Sequence, residues 1–326
     1  MSNSVALAEV WRGPFMESVH RGHAVVCDDS GQIVHAWGDP QAVVLPRSSS
    51  KMIQALPLIE SGAADAFGLG TEQLALACAS HNGAAIHTDR VAKWLDHLGL
   101  SDDDFRCGPQ EPDDREARNA LIRAQECPCQ MHNNCSGKHS GFLTLNKHLG
   151  AGPDYVDPDH AVQRACLEAF ERVTGESSPG FGIDGCSAPN YATSLHGMAR
   201  AMSHFAAAPA GSAEERLRTA MTLHPDLVAG EGRACTNLMR AMGGKVAIKT
   251  GAEAFFIAII PELKMGVALK VEDGGTRAAE CAIAAILVKL GVLEADHPET
   301  LKYLNAPIRN RRDLVTGAVR AAPALI

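Results

Sequence analysis

Ser48 and Lys51 have the spacing that nucleophilic catalysis by a serine requires. They form an S-x-x-K motif at the start of a helix-like stretch. Residues three apart on a helix lie on one face, so the lysine amine can reach the serine hydroxyl. If burial strips the lysine of its proton, it becomes the base that activates the serine. On its own the motif is a weak signal, because a serine here could simply cap the helix.

Two triplets further along the chain strengthen the catalytic interpretation. Lys249-Thr250-Gly251 opens a β-like run, and Ser80-His81-Asn82 has the outline of an S-D-N triplet. Serine acyl-enzymes of the penicillin-recognising kind combine S-x-x-K, S-x-N and K-T-G. All three elements, in this order, favour a serine hydrolase over a capping serine. The histidine in place of Asp argues against antibiotic hydrolysis.

Two segments, 132–141 and 184–190, are dense in side chains that bind metals. Thiolates and imidazoles are typical ligands of zinc, but the spacing matches no pair of C-x-x-C motifs. Unligated, reduced cysteines explain the pattern equally well, and a cysteine nucleophile beside a histidine is a weaker alternative. The candidate ligands are His132, Cys135, His139, Asp184 and Cys186.

Composition excludes several classes of function. The chain has 326 residues and a net charge of -8 without basic clusters, so we expect no nucleic-acid partner. No apolar run approaches a membrane span, and the first eleven residues lack an export signal. We therefore expect a cytoplasmic protein with no membrane contact, whose ten cysteines are mostly reduced.

The elements that must position these residues form an α/β (α+β) pattern. Strand-like runs cover 17–27, 32–37, 246–260 and 265–271, and the first two read as a hairpin. Helical patterns cover 71–79, 87–98, 114–123, 138–149, 158–173, 191–205 and 213–222, and another helix follows Gly275. We predict one catalytic unit over 1–326: an antiparallel sheet from 1–48 and 243–326, packed with a mainly helical middle, 49–242.

Four segments together resemble a known family, the rhizobial-type (class 3) L-asparaginases, also called the asparaginase II family of bacteria. The resemblance spans most of the chain, from about Val10 to the region of Lys249. The segments that carry it are Arg47 to Lys51, Ala79 to Gly83, His132 to His139 and Asp184 to Pro189.

The resemblance implies a fold similar to serine β-lactamases and glutaminases, a homodimer, and hydrolysis of L-asparagine to L-aspartate and ammonia. It implies two Ser–Lys pairs, matched here by Ser48 with Lys51 and by Ser80 with Lys249, although Lys245 lies close to the latter. It also implies a Zn2+ site. Lysine binds a metal only as the neutral amine. The ligands that match this site are Cys135, Lys138 and Cys186.

The substrate is a small zwitterion, so its two α-groups require opposite charges in the protein. We predict that Arg47 and Asp184 provide them, with Asn82 and His139 as further substrate-binding residues. A glutaminase and a β-lactamase-like or esterase-like serine hydrolase are the enzymatic alternatives. A zinc-binding or amino-acid-binding module without turnover is the non-enzymatic one.

Overall fold

Strands from both ends of the chain form one antiparallel sheet in the computed structural model, which describes residues 3–326. Its strand order is β11-β12-β1-β2-β10-β9-β8, and β3 pairs with β2 outside this path. The strands are β1 (Val5–Arg12), β2 (Phe15–Cys27), β3 (Ile33–Trp37), β8 (Ala247–Gly251), β9 (Phe255–Ile260), β10 (Met265–Val271), β11 (Ala306–Arg309) and β12 (Val315–Ala321). Two small ribbons pair β4 (Val43–Val44) with β7 (Thr193–Ser194), and β5 (Phe181–Ile183) with β6 (Pro189–Tyr191).

The middle of the chain is mainly helical. Its helices are α1 (Lys51–Gln54), α2 (Leu56–Glu60), α3 (Ala63–Ala66), α4 (Thr71–Ala77), α5 (Ala85–Leu98), α6 (Arg115–Ala124), α7 (Ser136–Leu149), α8 (Ala161–Thr174), α9 (Leu195–Ala207), α10 (Ala213–Leu223), α11 (Pro225–Val228) and α12 (Ala234–Ala241). Two more, α13 (Thr276–Lys289) and α14 (Pro298–Leu301), follow the late strands. The predicted fold class, a sheet from both termini with a helical middle, is confirmed.

The long strand β2 organises the sheet. Its first part pairs with β1, and its last part pairs with β10 on one side and β3 on the other. Every residue of β9 is buried, so both faces of the sheet are covered at this strand. Helix α9 packs on β2, β9 and β10, while α13 packs on β1, β9, β10 and β12.

The observed elements differ from the sequence prediction in several places. The run 246–260 is two strands, because Glu253 and Ala254 adopt left-handed backbone conformations (φ 57° and 56°) that end β8. The helix predicted for 191–205 starts only at Leu195, where the Ser194 hydroxyl accepts the amide of Gly197. Strands β1, β11 and β12 were not predicted. Within the described residues, no helix has both the length and the apolar character to cross a bilayer.

Candidate active site

Ser48 lies in a 3-10 turn, Arg47–Ser50, that runs straight into α1. Its side chain is partly exposed, and its hydroxyl makes no hydrogen bond with any residue in 3–326. Arg47 has a left-handed backbone (φ 53°), which is costly for a residue with a side chain. Backbone strain thus occurs at the residue directly before an accessible serine, and such strain is common at functional sites.

Lys51 begins α1 and is buried. Its Nζ lies 2.9 Å from Ser80 Oγ, 2.5 Å from the carbonyl oxygen of Ala79 and 3.1 Å from Cys135 Sγ. The structure therefore gives Lys51 no hydrogen bond to Ser48, and the pairing of these two residues stays a prediction.

Ser80 is the residue that both buried lysines share. Lys249 Nζ lies 2.9 Å from Ser80 Oγ, the same distance as Lys51 Nζ, and also donates to the carbonyl of Thr250 at 2.8 Å. Burial, followed by the positive charge of Lys51, lowers the pKa of Lys249 to about 7. Lys245 is exposed and pairs with Glu262 at 3.1 Å, so Lys249 is the lysine at Ser80.

A close contact between β8 and the Ser48 turn fixes this arrangement. A Cβ at Gly251 would lie 2.5 Å from the carbonyl oxygen of Pro46 and 2.8 Å from Ser49 Oγ. The Ser49 hydroxyl in turn donates to the carbonyl of Lys249 at 3.3 Å. The glycine of the K-T-G triplet is therefore required by the approach of two backbones.

His81 does not occupy a catalytic position, although it stands where S-D-N has its Asp. Its Nδ1 accepts the amide of Gly83, so its Nε2 carries the proton and donates to Ser136 Oγ, 2.9 Å away. Burial lowers the pKa of this imidazole well below its usual value. A neutral His81 therefore ties the Ser80 segment to the start of α7.

Cys135, Lys138 and Cys186 come together beside Lys51, and all three are buried. Lys138 Nζ donates to Cys186 Sγ at 3.0 Å. The adjacent Cys135 thiol, and then the Lys138 charge, lower the pKa of Cys186 well below its usual value, while that of Cys135 is raised. Burial lowers the pKa of Lys138, but the two sulfurs outweigh this effect and raise it overall. Without a metal the cluster is thus a thiolate facing an ammonium and a thiol.

The donor chemistry of this cluster fits zinc. Two sulfurs and one amine nitrogen are soft to borderline ligands, and the fully buried His139 has an Nε2 without a hydrogen-bond partner in 3–326. Among the described residues no group of three or more His, Cys, Asp and Glu side chains is placed to hold a metal. The predicted set contains only two residues of those types, since its third member is a lysine.

The other predicted substrate residues lie around this core. Arg47 donates from Nε and Nη2 to Asp184 Oδ1 at 3.0 and 2.7 Å, so these two charges already form an ion pair. His139 Nδ1 lies 2.9 Å from the hydroxyl of Tyr155. Asn82 is buried under Gly230, where a Cβ would come within 2.5 Å of the Asn82 Cγ.

A cavity of about 650 Å3 lies beside Arg47, with an apolar wall from residues 42–45 and a charged wall that includes Glu253, Lys270 and Glu272. Neither of the two predicted serines nor their lysines line it. The cavity is therefore a neighbour of the Ser80 cluster and not the cluster itself.

Two buried lysines thus share the hydroxyl of Ser80, and Ser48, in the turn before Lys51, is partly exposed. The chain belongs to the L-asparaginase II family, whose match covers residues 8–321. The predicted family is thus confirmed, and with it an amidohydrolase. No curated protein matches the chain.

Two solved structures are similar to this one. The first is Mglu in its native form, with 13% sequence identity over 90% of this chain and 70% of that chain, at a TM-score of 0.47. The second is a putative beta-lactamase from Bacteroides dorei DSM 17855, with 12% identity over 82% of this chain and 93% of that chain, at a TM-score of 0.45.

Proposed function

We propose that this protein hydrolyses L-asparagine to L-aspartate and ammonia through an acyl-enzyme on Ser48. The observation that carries the proposal is the hydrogen-bonded chain Lys51–Ser80–Lys249 next to that accessible serine. Such a chain can accept a proton at one end and deliver it at the other. Family membership supports an amide as the substrate.

In the proposed reaction, Ser48 Oγ attacks the side-chain amide carbon, and Lys51 takes the serine proton. The amides of Arg47 and Ser49 already donate to Asn190 Oδ1 and to the carbonyl of Pro46, so we assign the oxyanion to the amide of Ser48. Ser80 and Lys249 relay a proton to the departing ammonia, and a β-aspartyl ester remains on Ser48. Water then hydrolyses the ester, which regenerates the serine. Acid–base assistance of this kind contributes about 10²- to 10⁴-fold in rate.

The ion pair of Arg47 and Asp184 offers a negative charge for the α-amine of the zwitterion. Both Arg47 contacts fall on Oδ1 of the carboxylate, as does the amide of Gly185. In our proposal Asp184 Oδ2 receives the α-amine of the substrate, while Asn82 and His139 line the same region.

We propose that Cys135, Lys138 and Cys186 hold zinc. When bound, the metal supplies positive charge that orders these segments and can polarise a substrate carbonyl. Because Cys135 contacts Lys51, a metal held by Cys135 would add positive charge beside that amine.

Ammonia release from L-asparagine, L-glutamine and a chromogenic lactam tests the proposal. We expect asparagine to be the best substrate, Ser48→Ala to lose nearly all activity without loss of folding, and Ser50→Ala, in the same turn, to retain it. The Ser50 hydroxyl donates to the carbonyl of Arg47 and contacts neither lysine. Substantial activity in Ser48→Ala would remove Ser48 as the nucleophile, and preferential lactam turnover would reject the proposed substrate.

A further inference from the structure

Arg233 stands apart from the other arginines of the described residues. It is half-buried, yet its guanidinium makes no side-chain hydrogen bond, ion pair or ring contact within residues 3–326. Three other arginines in this range share that lack of a partner, and all are exposed: Arg115, Arg311 and Arg312. No nitrogen of the Arg233 guanidinium is among the buried side-chain atoms of residues 3–326, so the group reaches solvent without a partner and is free to receive an anion.

The loop that carries Arg233 connects α11 to α12 and is attached to both halves of the catalytic cluster. At its start, the carbonyl of Val228 accepts the amide of Ser80 at 2.9 Å. Just after it, Cys235 Sγ accepts the amide of Thr250, the neighbour of Lys249, at 3.3 Å. The loop thus runs between the segments that provide Ser80 and Lys249.

The glycines of this loop explain how closely it lies against the site. Gly230 (φ 118°) packs on the side chain of Asn82, and Gly232 (φ 76°) also needs a left-handed backbone. The Thr236 hydroxyl holds the turn by donating to the carbonyl of Gly230 at 2.6 Å. Arg233 is therefore presented by a fixed turn and not by a free loop tip.

The charges around Arg233 leave it unneutralised. Its positive charge adds to burial and to Lys51 in lowering the pKa of Lys249. The charge of Arg233 also acts on the half-buried Glu280. Burial raises the pKa of the Glu280 carboxyl, and the charge of Arg233 offsets part of that rise. The two residues form no ion pair. A free carboxylate can bind a guanidinium through two parallel hydrogen bonds.

We propose that Arg233 binds the α-carboxylate of the substrate and thereby restricts the enzyme to amides of amino acids. The inference rests on the proposed function, since it concerns the substrate that reacts at Ser48. Arg47, the other candidate for this role, already donates two of its hydrogen bonds to Asp184. Arg233 is thus the specificity-determining cation, and Arg47 serves mainly to orient Asp184.

A substrate that lacks only the α-carboxylate gives a direct test. β-Alaninamide is L-asparagine without that group, so it keeps the reacting amide and the amine. We expect Arg233→Met to lower kcat/KM for L-asparagine by about 10- to 100-fold, mostly through KM, since a hydrogen-bonded contact to a charged group contributes about 1.5–3 kcal/mol. At pH 9, where Lys249 is mostly neutral, the hydrolysis of β-alaninamide should fall far less than that of L-asparagine, and Arg233→Lys should recover part of the loss on L-asparagine.

Arg311→Met provides the control, because Arg311 is exposed and unpaired and its loss should alter neither rate. Binding of L-asparagine to Ser48→Ala, with and without Arg233→Met, should show a matching loss of affinity, and it reports on Arg233 independently of turnover. Equal losses on both substrates would mean that Arg233 acts through Lys249 and would overturn the inference, as would an unchanged affinity. An unmodified protein that binds L-asparagine but releases no ammonia would instead refute the proposed function.

Discussion

At the scale of single residues, the protonation of Lys249 governs what Ser80 can do. The pKa of Lys249 is about 7, so the amine is mostly neutral above that pH and mostly protonated below it. A protonated Lys249 cannot accept the proton that the relay requires. We expect kcat/KM for L-asparagine to fall about tenfold per pH unit below 7, in line with the fraction of neutral amine. A pH–rate profile with an acidic limb far from 7 would contradict this role.

The same residue makes a second prediction, which concerns stability. The pKa of Lys249 is about 7 in the folded protein, against 10.5 for an ordinary lysine. Between these values the unfolded chain binds more protons, so the free energy of unfolding rises with pH there, and below about 7 the full cost of the buried charge is present. Lys249→Met should therefore abolish activity while removing this slope. Urea unfolding of both proteins at pH 6.5 and 9 measures it, and an unchanged slope in the variant would assign it to another group.

The sequence selects candidate catalytic residues more readily than it reveals their contacts. The S-x-x-K and K-T-G spacings point to Ser48, Lys51 and Lys249 because these motifs are local. They could not show that Lys51 reaches Ser80, since that contact joins α1 to a segment about thirty residues away and depends on tertiary packing. Arg233 carries no motif at all, and only its lack of a partner in the folded chain draws attention to it.

At the scale of elements, the contact between β8 and the Ser48 turn fixes the position of Lys249 relative to Ser48. Gly251→Ala would place a methyl group 2.5 Å from the carbonyl oxygen of Pro46, so one backbone must move. We expect the free energy of unfolding to fall by about 1–3 kcal/mol. We also expect the activity of the folded variant to fall strongly, because the displaced backbone carries Lys249 or Ser48. Gly152→Ala, with open space around it, should change neither. Thermal melts and ammonia release distinguish these outcomes, and an active Gly251→Ala would show that the contact of β8 with the Ser48 turn can shift without loss of function.

Element types followed from periodicity, whereas their ends depended on local contacts that a pattern does not reveal. The β2–β3 hairpin and most helices lie close to their predicted positions, because apolar periodicity dominates there. The division of the 246–260 run depends on the left-handed Glu253 and Ala254, residues with no turn preference of the kind Gly or Asn has. Strands β1 and β12 pair although they lie at opposite ends of the chain. No hairpin turn connects them, so nothing local in the sequence signals this pairing.

At the scale of the whole molecule, the proposed zinc site should couple metal binding to pH. The pKa values of Lys138 and Cys135 are raised in the absence of metal, so coordination must release a proton from each. We expect about one zinc per chain, an affinity that falls as the pH falls, and a lower melting temperature after treatment with a chelator. Cys135→Ala should lose the metal, whereas Cys127→Ala, at an exposed thiol, should keep it. Metal-free protein with an unchanged melting temperature would reject the site.

The residues after Ala306 complete the sheet, because β12 covers the free edge of β1 and β11 covers β12. Removing 306–326 would leave the backbone groups of β1 unpaired and uncover apolar residues such as Val10. We expect this truncation to give an unstable, aggregation-prone protein even though it removes no predicted catalytic residue. Size-exclusion chromatography and thermal unfolding would show this, and a stable, active monodisperse product would contradict it.

The pairing of β2 with β10, and of β1 with β12, also determines when the sheet can fold during synthesis. The first two strands leave the ribosome early, but β10 and β12, which complete their pairing, follow only after more than two hundred further residues. Contacts so distant in sequence form slowly, and exposed strand edges invite misassembly in the meantime. In the proposed mechanism Ser48 and Ser80 require Lys249, so we expect a nascent chain to gain activity only after nearly all of it has been made.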